Sequence, residues 1–199
     1  MQNFGFYGEL GFFHVMDWYG YDHVLFLIAL ALPFGFRDWR RVFWLATLFT
    51  AAHCFSLALA AYGWVSFDPG IVEFLIPITI LLTAVFDLFL ARPGVSPGAA
   101  FRTHLLSTGL FGLIHGLGFS NYFRMLISGE TEKTGPLFGF ALGIEGAQLA
   151  VLLLVMSLSY LIVDTLNLSR IWYIRIAGGL IMAVSAMLIA QAWPAWIFT

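Results

Sequence analysis

Apolar positions in this chain do not alternate with polar ones; they run on in long, nearly continuous stretches. Six stand out: Tyr21 to Phe36, Val42 to Tyr62, Ile71 to Ala91, His104 to Tyr122, Pro136 to Val163 and Ile171 to Trp193. Alternation would mark strands, so continuous runs of this length predict helices set in lipid. A straight crossing takes about 20 residues, which makes the first stretch short and the fifth long enough to tilt. The first could reach back through His14, although Gly20 and Asp22 predict a break there. Ahead of them, Asn3 to Trp18 is rich in Phe and holds no Lys or Arg. It predicts an aromatic interfacial segment, residues 1–20, lying on the outer surface.

Composition narrows the fold class. The 199 residues are 61% hydrophobic and only 10% charged, with a mean hydropathy of +0.91. A soluble domain carries about 25% charged residues. Backbone groups in lipid must be satisfied within the segment, which leaves helices or closed barrels. Unbroken apolar runs select helices, and the expected fold is an all-α integral membrane bundle of six transmembrane helices. Net charge is −2 and no basic cluster suggests nucleic acid. The single cysteine, Cys54, excludes an internal disulfide. No basic-then-apolar signal pattern opens the chain, so the first span is expected to direct insertion.

Charge sets an expected orientation. Arg37, Arg40, Arg41, Arg92, Arg102, Arg170 and Arg175 fall on one set of connections; Arg124 and Lys133 fall on the other. The positive-inside rule makes the first set cytoplasmic and places both termini outside. Trp64, Trp193 and Trp196 then mark the outer boundary, and Trp39 and Trp172 the inner one.

Against this background the polar residues in apolar stretches are conspicuous, because an ionisable side chain in hydrocarbon is costly and is usually functional. His23 opens the first span. His53 lies eleven residues into the second counted from inside, and His115 the same distance into the fourth. Glu145 lies nine residues into the fifth counted from outside, with Gln148 one turn deeper. At about 1.5 Å per residue these four helices bring His23, His53, His115 and Glu145 to a common depth in the outer half. Three imidazoles and a carboxylate suit a divalent ion such as Zn, Ni, Co or Fe. Thr50 and Gln148, one turn from His53 and Glu145, are placed to support such ligands.

Other polar residues are open to two readings. Asp22 serves as a helix cap or as a ligand, and His14 as an accessory ligand or a surface residue. Glu73 suits the positive end of its helix. His104 falls at the cytoplasmic edge, where solvation is expected. Asp87 reads as an ion-pair partner of Arg92 or as an inner waypoint for an ion. Cys54 reads as packing. Gly112 with Gly116, and Gly139 with Gly143, form spacings that let helices approach closely beside His115 and Glu145.

Four runs carry a resemblance. Gly20-Tyr21-Asp22-His23-Val24-Leu25-Phe26-Leu27, Phe49-Thr50-Ala51-Ala52-His53-Cys54-Phe55-Ser56-Leu57, Phe111-Gly112-Leu113-Ile114-His115-Gly116-Leu117-Gly118-Phe119 and Gly143-Ile144-Glu145-Gly146-Ala147-Gln148 resemble, in order, motifs of the HupE/UreJ family of small bacterial membrane proteins. The resemblance runs from Gly20 to the end of the fifth span. It implies a bacterial inner-membrane protein of the hydrogenase and urease accessory type, with nickel delivery as the implied task. It gives His23, His53, His115 and Glu145 a metal-handling role, with Asp22 beside them. Asp87 stands where the family pattern has an amide, Ala141 where it has Asn, and Cys54 where it has Ser.

Three functions fit these features. A divalent transition-metal permease or delivery protein, nickel-type, would use the outer site for capture, with Asp87 helping passage; Thr79 and Thr83 are the other polar stations of the inner half. An intramembrane metalloenzyme would act on a lipidic substrate, with Glu145 or Asp22 as base; no HExxH or GxSxG signature is present. A non-catalytic subunit would use the cluster only to hold the bundle together. Expected partners are the bilayer, the metal ion and an unidentified membrane or extracytoplasmic protein.

Overall fold

A computed structural model describes residues 2–90 and 97–193 of the chain. Among the described residues there are eight α-helices and no strand. They are α1 (Gln2–Val15), α2 (Asp22–Ala31), α3 (Trp39–Ala61), α4 (Pro69–Leu90), α5 (Pro97–Gly118), α6 (Ser120–Leu126), α7 (Thr134–Tyr160) and α8 (Arg170–Gln191). A 3₁₀ turn, Phe36–Asp38, leads into α3, and a π-helical turn, Leu161–Thr165, ends α7.

Local chemistry accounts for several boundaries. Helix α2 ends at Ala31; Leu32 keeps helical backbone and still donates to Ala29, but Pro33, which has no N–H, cannot carry the hydrogen-bond ladder on. Ser169 caps α8 by accepting the Trp172 N–H at 3.4 Å. Pro77 sits inside α4, where its missing N–H leaves the carbonyl four residues back without its helical donor.

Among the described residues, four helical segments are long and apolar enough to cross a membrane: Phe36–Ala61, Pro69–Phe89, Thr134–Thr165 and Arg170–Gln191. The first and fourth predicted spans differ from these for physical reasons. Helix α2 has 10 residues, about 15 Å of helix against a hydrocarbon core of about 30 Å. Helix α5 has 22 residues but includes Arg102, Thr103, His104, Ser107, Thr108 and His115. It also ends at Gly118, so that the predicted fourth stretch continues into a separate helix, α6.

Helix directions follow from paired contacts. Helices α3 and α7 are antiparallel: Lys133 Nζ donates to the Ala61 carbonyl at one end, and the Phe36 and Tyr160 rings meet at the other. Helices α3 and α5 are parallel, with Gly109 beside Leu48 and Gly112 beside Phe49. Helices α4 and α5 are antiparallel, joined by Thr79 to His115 and by Asp87 to His104. Phe74 meets Trp193 and Leu88 meets Gly178, so α4 and α8 are antiparallel too.

The bundle therefore has a histidine end and an arginine end. Trp39 and Trp172 are exposed at the arginine end beneath the guanidinium groups of Arg40 and Arg175. Trp64 and Trp193 are exposed at the opposite end; Trp196 and Arg92 lie outside the described residues. Large apolar side chains such as Trp44, Phe55, Leu106, Leu154 and Leu180 point outward, whereas His53, Thr83, Asp87, His104 and Gln148 are buried. An apolar exterior around a polar interior is the arrangement lipid favours.

Helix α1 is packed lengthwise on α7. A Cβ at Gly143 would run into the Gly8 carbonyl, one at Gly11 into the Phe140 carbonyl, and one at Gly139 would lie 2.7 Å from the Phe4 carbonyl. This glycine seam delivers His14, at the last turn of α1, to the interior.

Candidate metal centre

Four helices contribute one imidazole each to a single cluster: His14 from α1, His23 from α2, His53 from α3 and His115 from α5. Ring centroids of His14 and His23 are 4.6 Å apart, those of His14 and His53 5.7 Å, and those of His23 and His53 5.6 Å. His115 joins through His23 at 5.4 Å. Among the described residues, two groups have ligand atoms all within 4.8 Å of one another: His14, His23 and His53, and Asp22, His23 and His115. His23 belongs to both.

Hydrogen bonds fix which nitrogens face inward. The Thr79 hydroxyl has one proton, and it goes to the Ile76 carbonyl at 2.6 Å. Its contact with His115 Nε2, at 3.0 Å, is therefore one in which the imidazole N–H donates. That leaves the lone pair on His115 Nδ1. Likewise Asp22 Oδ1 lies 3.0 Å from His23 Nδ1 and accepts the His23 backbone N–H at 2.8 Å. An ionised carboxylate only accepts, so the His23 proton sits on Nδ1 and its lone pair on Nε2. These are the outer partners by which metal-binding imidazoles are oriented.

The inward nitrogens have no protein partner. His14 Nε2, His23 Nε2, both nitrogens of His53, and His115 Nδ1 are buried without a hydrogen bond among the described residues. Leaving a buried polar group unsatisfied costs about 1–3 kcal/mol, and native structures hold few such groups. Several gathered in one cluster could hold a cation, and imidazole nitrogen with one carboxylate suits nickel, cobalt, zinc or iron. Phe26 and Phe49 pack on His115, and Phe119 and Phe140 on His14, forming an aromatic wall.

The close fit of α3 and α5 keeps His53 and His115 side by side. A Cβ on Gly116 would meet the His53 carbonyl and the Ser56 hydroxyl, and one on Gly112 would lie 2.8 Å from the Phe49 carbonyl. Two open clefts flank the cluster. One, of about 560 Å³, includes His14, Phe13, Trp18 and Tyr122; the other, of about 360 Å³, includes Asp22, Glu73, Pro77 and Gln191.

A family model described as HupE / UreJ protein matches residues 1–197. The chain belongs to the HupE/UreJ family. No curated protein and no solved structure matches it. The HupE/UreJ match reaches beyond the four motifs to take in α1, the helix that supplies His14.

Other sequence-selected residues lie elsewhere in this HupE/UreJ chain. Glu145 is in neither ligand group; its Oε1 accepts from Thr47 at 2.6 Å. Thr50 donates to Gln148 Oε1 at 3.1 Å, so these residues brace α3 against α7. His104, expected at a solvated edge, is instead fully buried, with Nε2 2.9 Å from Asp87 Oδ1. The signal for it was a polar stripe at helical spacing, Thr79, Thr83 and Asp87 on α4 facing His104, Thr108 and His115 on α5. Cys54 is half-buried and free.

Proposed function

We propose that this HupE/UreJ protein is a bacterial inner-membrane permease or delivery protein for a divalent transition metal of the nickel and cobalt type. The observation that carries this reading is the gathering of four imidazoles, three buried and His14 half-buried, each with a buried nitrogen that lacks a protein partner. His14, His23 and His53 form one coordination set; Asp22, His23 and His115 form the other. Sharing His23 lets one ion pass between sets by exchanging ligands a few ångströms apart. The flanking clefts, ending at His14 and Asp22, supply the approach. Glu145 contributes through the brace between α3 and α7 rather than as a ligand.

The alternating helix directions support six crossings, with α2 as a short first span completed by its flanking turns and α5 shielded by its neighbours. Phe4 packs on Phe138 and Trp193 on Phe74, so both described ends lie at the histidine end. With the arginine end cytoplasmic, the histidine cluster faces outward, with the α1 segment beside it, and serves for capture.

The test is metal content of detergent-purified protein, beside a His53→Ala, His115→Ala double variant, followed by Ni²⁺ uptake into vesicles. Near-stoichiometric metal, lost in the variant, and uptake that depends on the same residues are the expected results. Neither sample holding metal after exposure to Ni²⁺ or Co²⁺ would overturn the reading. Metal held tightly without uptake would leave a binding protein and remove the permease.

A further inference from the structure

We infer a second cation station in the arginine-end half of the bundle, formed by Asp87 of α4 and His104 of α5, with the hydroxyls of Thr83 and Thr108 next to them. It builds on the permease reading and names where an ion leaving the histidine cluster would next be held. Asp87 and His104 are both fully buried, with Oδ1 and Nε2 2.9 Å apart. That is the distance of a hydrogen bond, and also that between adjacent ligands on one ion with bonds of about 2.0–2.2 Å.

The surroundings favour a ligand-binding role. Asp87 Oδ2, His104 Nδ1 and Thr108 Oγ1 are buried without partners among the described residues, as is Ser185 Oγ on α8, which packs on α4. A pair that served only to join two helices would leave no such acceptors and donors open, since each costs free energy. The Thr83 hydroxyl nearby is spent as a donor but not as a ligand: it donates to the Thr79 carbonyl at 2.9 Å, which leaves its oxygen lone pairs free, whereas Thr79 already accepts from His115.

The site is also placed in sequence with the outer cluster. His115 touches Thr79, Thr83 lies one turn on, and Asp87 one turn further. Eight residues from Thr79 to Asp87 span about 12 Å along α4. Beyond the pair, the Phe34 ring stands against His104 at 5.6 Å. The residues on either side of it, Pro33 and Gly35, line an open cavity of about 1060 Å³ with Arg37, Asp38 and Arg170 in its walls. Phe34 thus separates the inner station from an open, charged vestibule. Its smaller set of nitrogen and carboxylate ligands makes the inner station the weaker, as release at the far side requires.

The deciding variant is Asp87→Asn. It keeps an oxygen acceptor for His104 but removes the charged ligand, so a purely structural hydrogen bond survives it and a cation station does not. Co²⁺ binding to the full-length protein in detergent, followed by absorption spectroscopy, should resolve a tight site and a weaker second one. In Asp87→Asn the second should vanish while the tight site persists, and Co²⁺ flux into vesicles should fall about tenfold or more. His104→Gln should do the same, with unchanged monodispersity on gel filtration to show that the bundle is intact. A single Co²⁺ site in the wild type, or Asp87→Asn binding and carrying Co²⁺ like the wild type, would overturn the inner station and leave the outer cluster untouched. Loss of binding at the histidine cluster alone bears on the permease reading instead, through the His53→Ala, His115→Ala variant.

Discussion

The proton on His115 decides which of its nitrogens meets the ion, and Thr79 decides where that proton sits. Because the hydroxyl already donates to the Ile76 carbonyl, it accepts from His115 Nε2 and leaves the buried Nδ1 without a protein partner. Thr79→Val has nearly the same shape but cannot accept, so the imidazole loses its orienting partner. Metal affinity should fall about 10–100-fold, the usual effect of removing an outer partner of a metal-binding histidine. Competition against a chromophoric chelator measures it, and Thr79→Ser should restore binding. Equal affinity in Thr79→Val would mean that the hydroxyl does not set the tautomer.

At the scale of elements, glycine contacts set the spacing between ligands. Gly116 lets α5 lie against the α3 backbone at His53, whereas Gly146 of α7 has nothing near the position of a Cβ. Gly116→Ala should therefore force the helices apart, with an overpacking cost of about 1–3 kcal/mol. It should lower the thermal midpoint in detergent and weaken metal binding together, since His53 and His115 ride on those helices. Gly146→Ala should leave both unchanged or raise stability slightly, by up to about 1 kcal/mol. If the two variants behave alike, close packing at Gly116 is not what positions the imidazoles.

The same contacts show what could be read from the chain beforehand. The apolar runs placed α3, α4, α7 and α8 within a few residues of their observed ends, because lipid leaves little else for such sequences to do. The grouping of His23, His53 and His115 by depth was legible for the same reason. Depth does not specify azimuth, however. Glu145 has the depth for the cluster but faces Thr47, and His104 was assigned to solvent although it turns inward to Asp87. His14 reaches the centre only through the α1–α7 glycine seam, a contact between segments more than a hundred residues apart.

For the whole molecule, the two ends differ in kind, and function depends on which faces the cytoplasm. Arg37, Arg40, Arg41, Arg170 and Arg175 gather at one end, while the clefts to His14 and Asp22 open near the other. Under the proposed function the positive-inside rule turns those clefts outward, with capture outside and release past Phe34 inside. Single cysteines on a Cys54→Ser background test this. Ser66, between α3 and α4 at the histidine end, and Leu166, between α7 and α8 at the arginine end, are both exposed. In intact spheroplasts a membrane-impermeant thiol reagent should label Ser66→Cys at once and Leu166→Cys only after permeabilisation. The reverse pattern would turn the bundle over and make the histidine cluster a cytoplasmic acceptor, suited to export or to receiving metal from a soluble carrier. Labelling of both in intact cells would remove one of the crossings by α4, α5 or α7, which lie between the two positions and on which the alternating arrangement depends.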